Sequence, residues 1–158
     1  MSETTGKDAD LEKFFTRFFL GAVKSLRSFL FEQKLSTDHS FVPRAAAFAY
    51  LVVDLRLASV EHEMVSTQGK QINLRDAAAC GMKSLVASYY PPIDESTVLT
   101  HVDRYFEAFR RGENSGDRMY LLCSLFCQEF GSKDPLVTIR FATAVASLIS
   151  VLNRRLGS

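Results

Sequence analysis

Apolar side chains recur at every third or fourth position through six segments of this chain, and no segment shows the two-residue alternation of a strand. A rod with that rhythm carries one oily flank, which has to be buried against another rod. The connections between segments are mostly short, which favours antiparallel neighbours. The expected fold is all-α: a compact bundle of about six helices, mostly antiparallel neighbours.

Local punctuation supports this reading. Asp8 or Asp10 can cap a first helix that runs to about Lys34. Ser40-Phe-Val-Pro43 precedes a long second helix, with proline where a first turn tolerates it. Asn73 with Asp76 three residues on opens the third, which ends before Pro91-Pro92. Asp94 caps the fourth and Gly112 closes it. Asp117 opens the fifth, closed by Gly131, and Asp134-Pro135 opens the sixth. Arg154 and Arg155 stand in its last turn, where cations suit the helix dipole. Residues 1–9 are polar and read as a disordered tail, leaving 10–158 as a single helical domain. A chain of 158 residues buries roughly 70% of its unfolded surface, so it needs neither disulfide nor metal to hold together.

Charge and cysteine usage narrow the function classes. Nineteen basic residues meet eighteen acidic ones, a net charge of +1, without the basic excess that nucleic-acid binders carry. Three cysteines, Cys80, Cys123 and Cys127, and no secretory leader point to free thiols and a cytoplasmic setting. No stretch approaches 18 uninterrupted apolar residues, so no membrane-spanning helix is expected. Thirteen phenylalanines and no tryptophan predict a core rich in Phe.

The first helix divides cleanly. Phe15, Phe18, Phe19, Ala22, Val23, Leu26, Phe29 and Leu30 fill one half. The other half carries Lys13, Arg17, Lys24 and Arg27, together with Leu20 and Phe31. Between Lys13 and Phe31 there are four cations and no acid. Such a helix is either an ordinary bundle element with a solvated cationic face or a docking element for a membrane surface or partner. Phe15, Phe18 and Phe19 are the residues that would line an apolar pocket.

In the second helix Asp54 lies among apolar neighbours, and a carboxylate there has to be paired or protonated. An arginine from another helix is the ordinary solution, with Arg140 one candidate. A site for acid–base chemistry is the other, with Asp54, His62, His101 and Arg140 as its residues. A di-metal centre is excluded because no Glu-x-x-His occurs, and Glu61-His62-Glu63 points its side chains about 100° apart.

In the third helix Ala77, Gly81, Ser84 and Ser88 form a stripe of small residues, which predicts close helix packing. In the fourth, Glu107 and Arg111 have the spacing of an i,i+4 pair. In the fifth, Cys123 and Cys127 lie four apart within an apolar sector, where cysteine acts as a small hydrophobe. Leu121 and Leu125 fall on its other side with Gln128 and Glu129, so this helix is either central or offers two leucines to a partner.

No phosphate loop, nucleophile turn, dinucleotide fingerprint or metalloprotease motif is present, and no metal or cofactor is expected. The sequence therefore favours a non-catalytic module that self-associates or docks a protein partner, with Leu20, Phe31, Leu121 and Leu125 as its surface. Binding of an apolar ligand or an anionic membrane surface through the first helix is the alternative, and an enzyme around Asp54 a further one.

Overall fold

A computed structural model of the chain describes residues 2–68 and 74–157, with side chains for 10–59 and 74–156. Among these residues there are six helices: α1 Ser2–Glu32, α2 Phe41–Gln68, α3 Leu74–Ser88, α4 Glu95–Arg110, α5 Ser115–Glu129 and α6 Pro135–Gly157. No strand is found among the described residues. The fold is the all-α bundle that the apolar rhythm predicts. α1 is helical from Ser2 onward, so Asp8 and Asp10 lie inside the helix and do not cap it, and no break marks the expected division after residue 9.

Two helix starts follow the expected chemistry, while Asn73 at the head of α3 lies outside the described residues. The Asp94 carboxylate accepts the Ser96 amide at the head of α4, and Asp134 accepts the Leu136 amide at the head of α6, with Pro135 in the first turn. α5 differs from expectation. Its cap is Asn114, whose side-chain oxygen accepts the Asp117 amide at 2.9 Å, so Asp117 is a first-turn acid instead. Gly131, at φ +98°, closes α5 in the left-handed conformation glycine adopts cheaply.

α2 is the central rod, touching α1, α3, α4 and α6. Residues Ala45 to Ala49 and Leu51 to Val53 are all buried, so this part of α2 is enclosed on every side. Its run of alanines lets neighbours come close. α1 and α3 form the most extensive pair and run in the same direction, with Gly81 against Phe15 and the Arg27 charge felt at Tyr89. A Cβ added at Gly81 would stand 2.7 Å from the Phe15 Cβ and 2.9 Å from the Thr16 backbone nitrogen. The small-residue stripe thus serves contact inside the chain at Ala77 and Gly81, while Ser84 and Ser88 are exposed.

The core is built from rings. Phe126 and Phe141 stack with centroids 4.9 Å apart, and Phe48 lies 5.1 Å from each. Phe29 of α1 and Tyr105 of α4 complete a cluster fed by five helices. Cys123 and Cys127 are buried beside it.

α6 corrects one sequence expectation. Polar residues interrupt it, yet Pro135–Leu156 is long and apolar enough, by length and composition, to cross a bilayer. Within the bundle its inward stripe of Phe141, Val145 and Leu152 is buried. Only 22% of its most apolar stretch is fully buried, with Val137, Ala142, Ala144, Leu148 and Ile149 half-buried against the core.

Candidate functional site

The most chemically loaded spot is a polar cluster where α2, α4 and α5 meet. Glu129, the last residue of α5, is only 8% exposed at its side chain. The Tyr105 hydroxyl donates to Glu129 Oε1 at 2.5 Å. Arg104 forms an ion pair with Oε2, and Arg44 Nη1 stands 3.6 Å from the same oxygen. Arg104 also hydrogen-bonds His101 Nδ1 at 2.7 Å, and the His101 ring stacks on Tyr105. The head of α2 supplies Arg44, while successive turns of α4 supply His101, Arg104 and Tyr105.

The local electrostatics follow from this arrangement. Burial, then the hydrogen bond to Glu129, pushes the Tyr105 hydroxyl well above its ordinary range, so it stays a neutral donor. Burial, then Arg104 and Arg44, lowers the His101 pKa below 6.5, against a smaller opposing pull from Glu129. A buried carboxylate at the negative end of its own helix is costly, and two guanidinium groups plus a phenol offset that cost. The carboxylate itself fills the space between the arginines. What the cluster does chemically is tie three helices together.

The residues singled out from sequence do not gather in one place. Asp54 is held by Arg75 of α3 through two hydrogen bonds, Nε–Oδ1 at 2.9 Å and Nη2–Oδ2 at 3.0 Å, not by Arg140. Arg75, in the first turn of α3, lies beside α2, which spacing along one helix does not reveal. Arg140 reaches Gln33 at 3.5 Å instead. His101 belongs to the Glu129 cluster, and the His62 side chain lies outside the described residues. Glu107 pairs with Arg110 in place of Arg111, because Arg111 is already the C-cap residue of α4.

Phe15, Phe18 and Phe19 fill the core. Phe15 and Phe19 are fully buried, stacked at 6.2 Å, and Phe19 meets Tyr50 edge-on. A shallow, open surface depression of about 330 Å³ is lined by the polar residues Glu12, Lys13, Thr16, Arg17 and Ser84, and none of the three phenylalanines lines it. Among the described residues no group of three or more His, Cys, Asp or Glu side chains is placed to hold a metal.

Leu20, Phe31 and Leu121 are on the surface, at 37%, 81% and 38% exposure, whereas Leu125 is half-buried against the core. Two features escaped sequence reasoning. Glu129 was placed with the outward residues of α5, yet it stands seven residues after the buried Leu122, a spacing that returns to nearly the same face. The second is the outer face of α6, where Leu136 and Ile139 are more than half exposed.

Comparison with known families, with curated proteins and with solved structures finds no match to this chain.

Proposed function

We propose that this chain is a non-catalytic interaction module that self-associates or docks a protein partner, using the outer face of α6. One observation carries the reading: the helix apolar enough to span a bilayer is also one in which the bundle fully buries only 22% of the most apolar stretch. Leu136 and Ile139 stand exposed near its start, and Thr143, Ala146, Ser147 and Ser150 continue the face as small residues, with Arg140 beside it and Arg154 at its far end. Exposed apolar area of this kind, with small residues beside it, suits close approach of another helix. The polar groups that a catalytic reading would need are already engaged: Asp54 with Arg75, and Glu129 with Tyr105 and two arginines.

Sedimentation velocity over a wide concentration range tests this. The expected result is concentration-dependent association of the wild type that Leu136→Ser with Ile139→Ser abolishes while the circular dichroism is kept. A chain that stays monomeric throughout removes the self-associating reading, and an association indifferent to the two substitutions overturns the assignment to α6.

A further inference from the structure

We infer that the outward face of α1 is a second, separate docking surface, and that its occupant is an anionic lipid bilayer. At 100° per residue, Lys13, Arg17, Leu20, Lys24, Arg27 and Phe31 fall within an arc of about 80° on the side of α1 opposite its buried residues. Their span along the axis is about 27 Å, at 1.5 Å per residue. All six are exposed. Lys13, Arg17 and Lys24 make no hydrogen bond or ion pair with any described residue, and Arg27 covers the Phe41 ring at 5.0 Å. Glu12 and Glu32 bound the stripe at its two ends and point away from its centre line.

The charge pattern extends to the neighbouring helix. α6 runs antiparallel beside α1, with Arg155 over Phe14 at one end and Phe141 against Phe29 at the other. Together, α1 from Lys13 to Phe31 and α6 hold seven of the nineteen cations and none of the eighteen acids.

Three occupants fit a cationic face, and the side chains choose between them. A second copy docking the same face about a two-fold axis would bring lysine and arginine against lysine and arginine, with no acid to intervene. A single-stranded nucleic acid would satisfy the cations and could stack a base on Phe31, but gives Leu20 nothing to bury against. An anionic bilayer satisfies both: its headgroups take the cations, and the interface takes Phe31 and Leu20. A helix lying flat on the membrane needs this combination of exposed apolar groups flanked by basic ones.

The test is co-sedimentation of the full chain with phosphatidylcholine vesicles, with and without phosphatidylserine. Binding is expected only with the anionic lipid, and it should weaken as salt is raised. Arg17→Glu with Lys24→Glu should lower partitioning at least about 25-fold, taking each cation as about five-fold. Leu20→Ser with Phe31→Ser should weaken binding at constant charge. Arg111→Glu, an exposed cation off this face, should lower it far less. The altered side chains on the stripe are exposed, so unchanged melting curves are expected and confirm that the variants are folded.

Equal binding to neutral and anionic vesicles overturns the inference. So does an Arg111→Glu effect as large as that of the α1 pair, which would make net charge responsible. Binding of a single-stranded RNA without vesicle binding overturns it in favour of nucleic acid. Association through α6 is scored separately by sedimentation, so either surface can fail alone.

Discussion

Replacing Gly81 by alanine tests the closest contact in the bundle. In isolation the change favours a helix by about 1 kcal/mol, because alanine loses less backbone freedom on folding. The site opposes this. The new Cβ would stand 2.7 Å from the Phe15 Cβ, 2.9 Å from the Thr16 nitrogen and 3.1 Å from the Phe15 carbonyl carbon, against 3.4–4 Å for ordinary contact. These atoms belong to or adjoin the α1 backbone, so no flexible side-chain end can swing aside. Relief requires α1 and α3 to part by about 1 Å, which loosens the dispersion contacts of Phe15 and its neighbours. Overpacking of this kind costs about 1–3 kcal/mol. The net expectation is a loss of up to about 2 kcal/mol, or a fall in Tm of up to about 8 °C for a chain of this size. Gly21→Ala on the exposed side of α1 is the matched control, since nothing lies within 4 Å of its Cβ position. That variant should gain about 0.5–1 kcal/mol. Thermal and urea unfolding followed by circular dichroism measures both. If Gly81→Ala moves in the same direction as Gly21→Ala, the argument for backbone-to-backbone packing of α1 on α3 is refuted.

Glu129→Gln removes the charge that holds Arg44 and Arg104, and should cost about 2–3 kcal/mol. This lies below the usual cost of breaking a fully buried pair because Arg104 is partly exposed and can turn to solvent. Urea unfolding reads it, and a loss under about 0.5 kcal/mol, typical of a surface substitution, would show that the cluster is not a structural tie. Burial pushes the Cys123 and Cys127 thiols up to about 12, so an aromatic disulfide reagent at neutral pH should spare both until the chain is unfolded. Rapid modification of either in the native state would contradict their place in the core. The lowered pKa of His101 means that the unfolded chain takes its proton more readily than the folded one. Its contribution is therefore complete above about pH 6.5 and is lost as pH falls below that value. Urea midpoints at pH 7.5 and 5.5 should fall less in His101→Asn than in the wild type, and an equal or larger fall in the variant would count against the arrangement.

The number and type of helices were legible because burying an amphipathic rod depends on local spacing, and local spacing is written directly in the chain. The caps at Asp94 and Asp134 were legible for the same reason, being decided within three residues. Asn114 was missed because asparagine and aspartate cap equally well, and the two candidates stand only three residues apart. The partner of Asp54 could not be read, since Arg75 stands on a different helix, and helix order in space is not a local property. Glu129 was misjudged because its polarity outweighed its position. The seven-residue interval from Leu122 already put it on the buried side, and the structure resolves the conflict by bringing cations to the carboxylate. The enclosure of α2 on all sides has a legible counterpart in hindsight, the run Ala45-Ala46-Ala47, whose lack of bulk lets several neighbours crowd one rod.

The ring cluster makes five helices mechanically interdependent. Phe29, Phe48, Tyr105, Phe126 and Phe141 come one each from α1, α2, α4, α5 and α6, and Phe126 touches three of the others. Withdrawing any one of these helices strips aromatic contacts from at least one more, so partial opening along those lines gains little freedom for a large loss of contact. α3 contributes no ring to the cluster and is held by the backbone contact at Gly81, the Arg75 link to Asp54 and its aliphatic flank. Sequence drift is therefore dearest at Phe126, where one lost ring weakens the hold of several helices together.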